Sequence, residues 1–183
     1  MVLIQFDQVV TSFILGIFSH SPFFNTAFSF FSLNGGSLLI WVLVIIIVLT
    51  IEEIYNPGIQ KRDKLFILYF LIAFTTAFVV SDYVLKPLFQ RERPFVAYHN
   101  VNSTCPADYS FPSTHAATAF AAAVILSAFD KKRKGFYYLV AVLISFSRIY
   151  LGCHYFLDVA VGAIIGYFIG KTILFLSKKK IWT

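Results

Sequence analysis

Residues 86–115 read KPLFQRERPFVAYHNVNSTCPADYSFPSTH, and residues 147–158 read SRIYLGCHYFLD. Six of their residues stand out: three cations (Lys86, Arg93, Arg148), two imidazoles (His115, His154) and the carboxylate of Asp158. Ammonium and guanidinium groups supply fixed positive charge and a fan of donors, the complement of a phosphate. His154 and Asp158 lie four residues apart, so on a helix they share a face. A carboxylate that accepts from one imidazole nitrogen leaves the other free as a nucleophile. His115 follows Phe111-Pro112-Ser113-Thr114 where a helix should begin. Ser113 is a good N-cap, and the free amides of a first turn attract anions. His115 would then stand beside a bound phosphate and hand a proton to a leaving oxygen. The chemistry that suits this set is metal-free phosphoryl transfer through a phosphohistidine that water hydrolyses.

Taken singly, each feature has a plainer reading. Arg93-Pro94 alone is a loop turn. His154 and Asp158 alone are a satisfied polar pair between helices. Arg148 alone can meet lipid headgroups. Two histidines and an aspartate are also a zinc-ligand set, but three neighbouring cations would repel the metal. The weight comes from all six meeting in one place, which depends on the elements that carry them.

Those elements are apolar. Of 183 residues, 58% are hydrophobic and only 13% charged, and mean hydropathy is +0.77. A soluble domain carries about 25% charged residues. The composition excludes disorder, a coiled coil and a nucleic-acid partner, and leaves an integral membrane protein. A span needs about 20 residues, so the chain allows five or six and no separate soluble domain. The expectation is an all-α membrane bundle forming a single domain over residues 1–183.

Apolar runs cover residues 36–51, 64–85, 113–129, 136–151 and 155–177. Residues 1–33 are broken by Asp7, His20 and Pro22. They read as an amphipathic interfacial helix near residues 4–19 followed by a second short piece, with a sixth span as the alternative. The first residues lack a basic region and a small-residue cleavage site, so no cleaved signal peptide is expected. Gly162, Gly166 and Gly170 make a small-residue helix face, suited to packing inside the bundle or to a dimer seam.

Eleven of the 15 basic residues form three groups: Lys61, Arg62 and Lys64; Lys131 to Lys134; and Lys171 with Lys178, Lys179 and Lys180. Alternating spans put all three on one face, which the positive-inside rule makes cytoplasmic. Lys86, Arg91, Arg93 and Arg148 fall on the opposite face, against that rule. His115, His154 and Asp158 join them there. Ionisable groups at membrane depth are expensive, so this convergence is a functional candidate. Cys105 and Cys153 share that outer face but show no metal-ligand spacing. Two free thiols are expected, with a disulfide as the alternative.

With these residues in view, the chain resembles the type 2 phosphatidic acid phosphatase superfamily of membrane lipid phosphatases. Its Lys-x6-Arg-Pro motif is met by Lys86, Arg93 and Pro94. Pro-Ser-x-His is met by Pro112, Ser113 and His115. Ser-Arg-x5-His-x3-Asp is met by Ser147, Arg148, His154 and Asp158. The resemblance implies that His154 is the nucleophile, Asp158 its orienting partner, and His115 the general acid and then the base for water. It implies a phosphate cradle of Lys86, Arg93, Ser113 and Arg148 with the Thr114 amide, and no metal or cofactor. Thr114 stands where many members have Gly, a change that would alter pocket shape. The stretch RERPFVAYHN, the small size and the external site resemble the bacterial undecaprenyl-diphosphatase branch. Phosphatidylglycerophosphate, phosphatidate and lipid A 1-phosphate phosphatases share the same catalytic residues. The expected partners are therefore a lipid mono- or diphosphate and the bilayer of a bacterial inner membrane, with the site facing the periplasm or exterior. Tyr98 and His99 are candidates for headgroup contact or for plain interfacial residues.

Overall fold

A computed structural model describes residues 2–17, 21–32, 36–55, 58, 61–94 and 105–181, and every regular element among them is helical. Tyr98 and His99 lie outside the described residues. The elements are α1 (Val2–Ile17), α2 (Pro22–Ser32), α3 (Gly36–Tyr55) and α4 (Lys61–Val79). A π-helical turn (Val80–Leu85) and α5 (Lys86–Phe89) continue α4. After a loop come α6 (Thr114–Phe129), a 3₁₀ turn (Lys131–Arg133), α7 (Lys134–Tyr150) and α8 (Phe156–Ile181). The five expected apolar runs are thus five long helical segments.

Leu38–Tyr55, Lys64–Phe89 and Phe156–Ser177 are long and apolar enough to cross a membrane, while Thr114–Phe129 is shorter. That shorter helix, α6, is the centre of the bundle and packs against α4, α7 and α8. Its composition explains the position: Ala116, Ala117, Ala119, Ala121, Ala122 and Ala123 are all fully buried, and methyl side chains let three neighbours approach closely. The glycines of α8 complete the contact. A Cβ on Gly166 would sit 1.9 Å from the Ala117 carbonyl oxygen, and one on Gly162 2.5 Å from that of Ser113. The small-residue face therefore packs within the bundle, against α6. Trp41, Phe66, Phe70, Ile125, Leu126, Tyr137 and Ile144 fill the rest of the core.

Among the described residues of 1–33, no helix meets the length of a membrane span. α1 ends at Ile17 and Pro22 opens α2, where its missing N–H costs nothing. α1 departs from the expected helix in its orientation. Asp7 and Thr11 are fully buried, while Ile4, Phe6, Val9, Phe13 and Ile17 are exposed. Asp7 and Thr11 face the protein while those apolar residues face outward, because α1 docks on α7 and α8. α2 lies against α7, where Phe28 meets Phe146 and Tyr150 at ring-centroid distances of 5.4 and 4.5 Å.

The chain order sets the two ends of the bundle. α4 and α7 begin, and α6 ends, beside the basic groups around residues 61–64 and 130–134. There Asp130 accepts from the Arg133 guanidinium at 2.5 Å and from the Tyr137 hydroxyl at 2.8 Å. The far ends of α5 and α7 and the starts of α6 and α8 come together at the other end.

Candidate active site

Each candidate residue is delivered by a break in a helix. The π turn ahead of α5 places Asp82 and Lys86 on one side. Lys86 is buried, and its Nζ donates to Asp82 Oδ1 at 2.5 Å and also to Asp108 Oδ2. Single π turns are frequent at functional sites, since the extra residue re-aims the side chains downstream of it. The chain leaves α5 through Gln90 in the left-handed conformation, φ 49°, and Arg91 and Arg93 then run back towards the bundle.

Arg93 is the hub. Its Nη1 donates to the Cys153 carbonyl at 2.8 Å and lies 3.1 Å from His154 Nε2. Its Nη2 donates to Asp108 Oδ1 at 2.5 Å, and its Nε to the Asp108 carbonyl at 2.8 Å. A guanidinium only donates, so the proximity assigns a lone pair to His154 Nε2 and the proton to Nδ1. Nδ1 lies 3.5 Å from Asp158 Oδ2. Sequence spacing put His154 and Asp158 on one helix face; the structure instead places His154 in the turn before α8, with Asp158 3.5 Å from Nδ1 and Arg93 beside Nε2.

The turn after α7 holds His154 in place. Gly152, at φ +68°, takes a conformation open to glycine without penalty. The amides of Cys153 and His154 can then both donate to the Arg148 carbonyl, at 3.0 and 3.1 Å. Arg148 and His154 are both buried. His154 sits in the loop between α7 and α8. Burial, then the charges of Arg93, Arg148 and Lys86, hold its imidazole well below the usual histidine range, which favours the neutral ring.

His115 lies in the first turn of α6, within electrostatic reach of Arg148, His154, Lys86 and Arg93. Ser113 is the N-cap, accepting from the Ala116 amide at 3.4 Å. Its own amide donates to the Asp158 carbonyl at 2.9 Å, which ties the start of α6 to the start of α8. The Thr114 hydroxyl does not aim at the cations: it donates to Asp82 Oδ1 at 3.0 Å, so its effect on the pocket runs through Asp82 and Lys86.

Cys105 and Cys153 form a disulfide, with a sequence separation of 48. The expectation of free thiols is corrected. The two cysteines are too far apart in sequence for pairing to be foreseen, and only the docking of the outer loop on the α7–α8 turn brings them together.

Four further residues carry weight that motif spacing did not assign. Asp108 occupies the donors of both Lys86 and Arg93; burial opposes its ionisation, but the Lys86 hydrogen bond and the Arg93 charge win and hold it below the usual carboxylate range. Asp82 links Lys86 to Thr114. Arg91 donates to Asp158 Oδ1 at 2.6 Å and to Asp7 Oδ2 at 2.7 Å. Two signals pointed towards the last pair: Arg91 broke the charge rule, and Asp7 interrupted an apolar run.

The chain is 38% identical over 128 residues to an undecaprenyl-diphosphatase of Sulfolobus acidocaldarius, a match covering 65% of this chain and 57% of that protein. It is 32% identical over 182 residues to a lipid A 4'-phosphatase of Bacteroides thetaiotaomicron, covering 94% and 77%. The crystal structure of a PAP2-type phosphatidylglycerolphosphate phosphatase from Bacillus subtilis superposes with a TM-score of 0.70 at 23% identity, covering 98% of this chain and 88% of that one; this likeness speaks for the fold. The chain spans from about half to about three quarters of the length of the curated relatives it matches. The PAP2 superfamily model matches residues 64–182, the stretch that contains all three motifs, and the chain belongs to that superfamily.

Proposed function

We propose that the protein is a lipid phosphatase that removes a phosphate from a polyprenyl diphosphate of the undecaprenyl type, through a phosphohistidine on His154. The observation that carries the reading is the 3.1 Å approach of Arg93 Nη1 to His154 Nε2. A phosphate gripped by that guanidinium lies against the nucleophilic lone pair. Lys86, Arg93 and Arg148 neutralise the phosphate oxygens, and most of the acceleration comes from this positioning and charge stabilisation. His154 Nε2 attacks phosphorus as the bond to the leaving oxygen breaks. His115, which takes up a proton once the phosphate's negative charge offsets the neighbouring cations, gives that proton to the leaving oxygen. The positive charge that develops on the His154 ring faces Asp158 across Nδ1. Neutral His115 then takes a proton from water, the hydroxide oxygen bonds to phosphorus, the P–N bond breaks, and inorganic phosphate leaves with His154 neutral again.

The site faces the non-cytosolic side in this reading. The basic groups lie at the opposite end of the bundle, and a disulfide beside the site suits an oxidising compartment. A second substrate class, a phosphate monoester on a lipid such as lipid A, is favoured by the Bacteroides relative, whose match runs along 94% of the chain. Purified protein assayed on undecaprenyl diphosphate, lipid A, phosphatidylglycerophosphate and phosphatidate separates these. Phosphate release without an added acceptor distinguishes a hydrolase from a phosphotransferase. Release that survives EDTA, is blocked by vanadate and is lost in His154→Ala supports the mechanism. Release that persists in His154→Ala rules it out.

A further inference from the structure

The start of α8 is capped from another element. The amide of Leu157 donates to Asp7 Oδ1 at 2.8 Å, and that of Phe156 to Thr11 Oγ1 at 3.0 Å. First-turn amides have no partner within their own helix, and here α1 supplies two acceptors from the far end of the sequence. Asp7 does more than cap. Its other oxygen, Oδ2, accepts from Arg91 Nη2 at 2.7 Å, while Arg91 Nη1 donates to Asp158 Oδ1 at 2.6 Å. The guanidinium lies over the Tyr155 ring, 4.0 Å from its centroid. A buried carboxylate on an otherwise uncharged helix is costly unless it is paired, and Asp7 is fully buried.

We infer that Asp7 is a positioning residue for the phosphatase reaction, acting through Arg91 on Asp158 and so on His154; the inference rests on His154 being the nucleophile. Arg91 bridges two carboxylates at nearly equal distance, so its charge is shared between them. Asp158 keeps negative potential for the imidazole Nδ1, 3.5 Å away. Without the Asp7 charge, Arg91 pairs with Asp158 alone, and the carboxylate that should stabilise the charged ring of the phosphohistidine is drawn off. Phosphate binding, which falls to Lys86, Arg93 and Arg148, is untouched. The consequence is a loss in kcat with KM unchanged, the pattern of a defect in the chemical step.

The test compares Asp7→Asn with Thr11→Val. Asparagine keeps an acceptor for the Leu157 amide and removes the charge; valine removes the neighbouring cap without touching Arg91. Steady-state kinetics and thermal unfolding in detergent are measured for both, with His154→Ala alongside. The expected result is a kcat about 10- to 100-fold lower in Asp7→Asn at unchanged KM. Thr11→Val should unfold at a lower temperature but keep the kcat of the parent. Should Asp7→Asn not accumulate as folded protein, Arg91→Lys carries the same expectation, because one ammonium cannot bridge both carboxylates as a fork does. Parent-like kcat in Asp7→Asn or Arg91→Lys, or equal kcat losses in Asp7→Asn and Thr11→Val, overturns the inference while inactive His154→Ala leaves the site intact. Turnover in His154→Ala overturns the site reading and this inference with it.

Discussion

At the scale of single residues, two opposing charges meet at the proposed phosphate site. Asp108 sits on the donors of Lys86 and Arg93, so a substrate phosphate has to displace a carboxylate. Asp108 is 40% exposed on its side chain, so it can swing into solvent. Asp108→Asn should therefore lower KM and strengthen vanadate inhibition, measurable by steady-state titration; weaker vanadate binding would contradict this competition. His154 gives a second expectation. Its imidazole is held well below the ordinary histidine value by burial and by the Arg93, Arg148 and Lys86 charges, and it must be neutral to attack. The acid limb of kcat/KM, which reports the free protein, should lie below about pH 6.5 rather than at or above it. His115 gives a third. A diphosphate lipid releases a phosphate, already a good leaving group, whereas a glycerol or sugar alkoxide needs a proton. His115→Ala should depress hydrolysis of monophosphorylated lipids more than that of diphosphates; equal losses on both would remove His115 as the proton donor to the leaving oxygen.

At the scale of elements, the approach of α8 to α6 governs the site, because α6 carries His115 behind its Ser113 cap while α8 carries Asp158. Three glycines allow that approach. In Gly166→Ala the new methyl would lie 1.9 Å from the Ala117 carbonyl oxygen, and the helices must separate. Overpacking of this kind costs about 1–3 kcal/mol or more, so thermal unfolding should fall and activity with it. Gly16→Ala, with nothing within 4 Å of the new atom, should unfold no earlier than the parent, since alanine is the better helix former. Similar unfolding temperatures for the two variants would show that the α6–α8 contact is not tight. The N-terminal helix belongs to the same scale. Hydropathy alone identifies α1 as amphipathic but does not say whether its polar stripe meets water or protein. Asp7 and Thr11 meet the unsatisfied amides of α8, which fixes the helix with its apolar side outward.

At the scale of the whole molecule, the bundle has a basic end and the end that carries the proposed phosphate site, and the Cys105–Cys153 disulfide fastens the loop that carries Asp108 to the turn that carries His154. Disulfide removal typically costs about 2–4 kcal/mol. Cys105→Ser should lower thermal stability by that order and also raise KM variability between lipids, read as a wider spread across the substrate panel, since the loop over the cations is no longer tethered. An unchanged melting temperature under strong reductant would show that the disulfide contributes nothing to the fold.

Much of this was legible in the residues themselves. Long apolar runs specify helices and spans because a bilayer satisfies no backbone groups outside a helix, and clustered lysines mark one end because charge decides which loops cross. Ser113 reads as a cap, and Lys86, Arg93, Arg148, His115, His154 and Asp158 read as one constellation, because helix geometry and the alternation of spans are local rules. The pairings are another matter. Arg91 meets Asp7 across 84 residues and Asp158 across 67, Asp108 finds Lys86 and Arg93, two cysteines join, and a row of glycines chooses an alanine helix of its own chain over a second copy. No local rule ranks those partners. They depend on which faces dock once the helices assemble, where each buried charge and each uncapped amide must find its complement in whatever surface packing brings within reach.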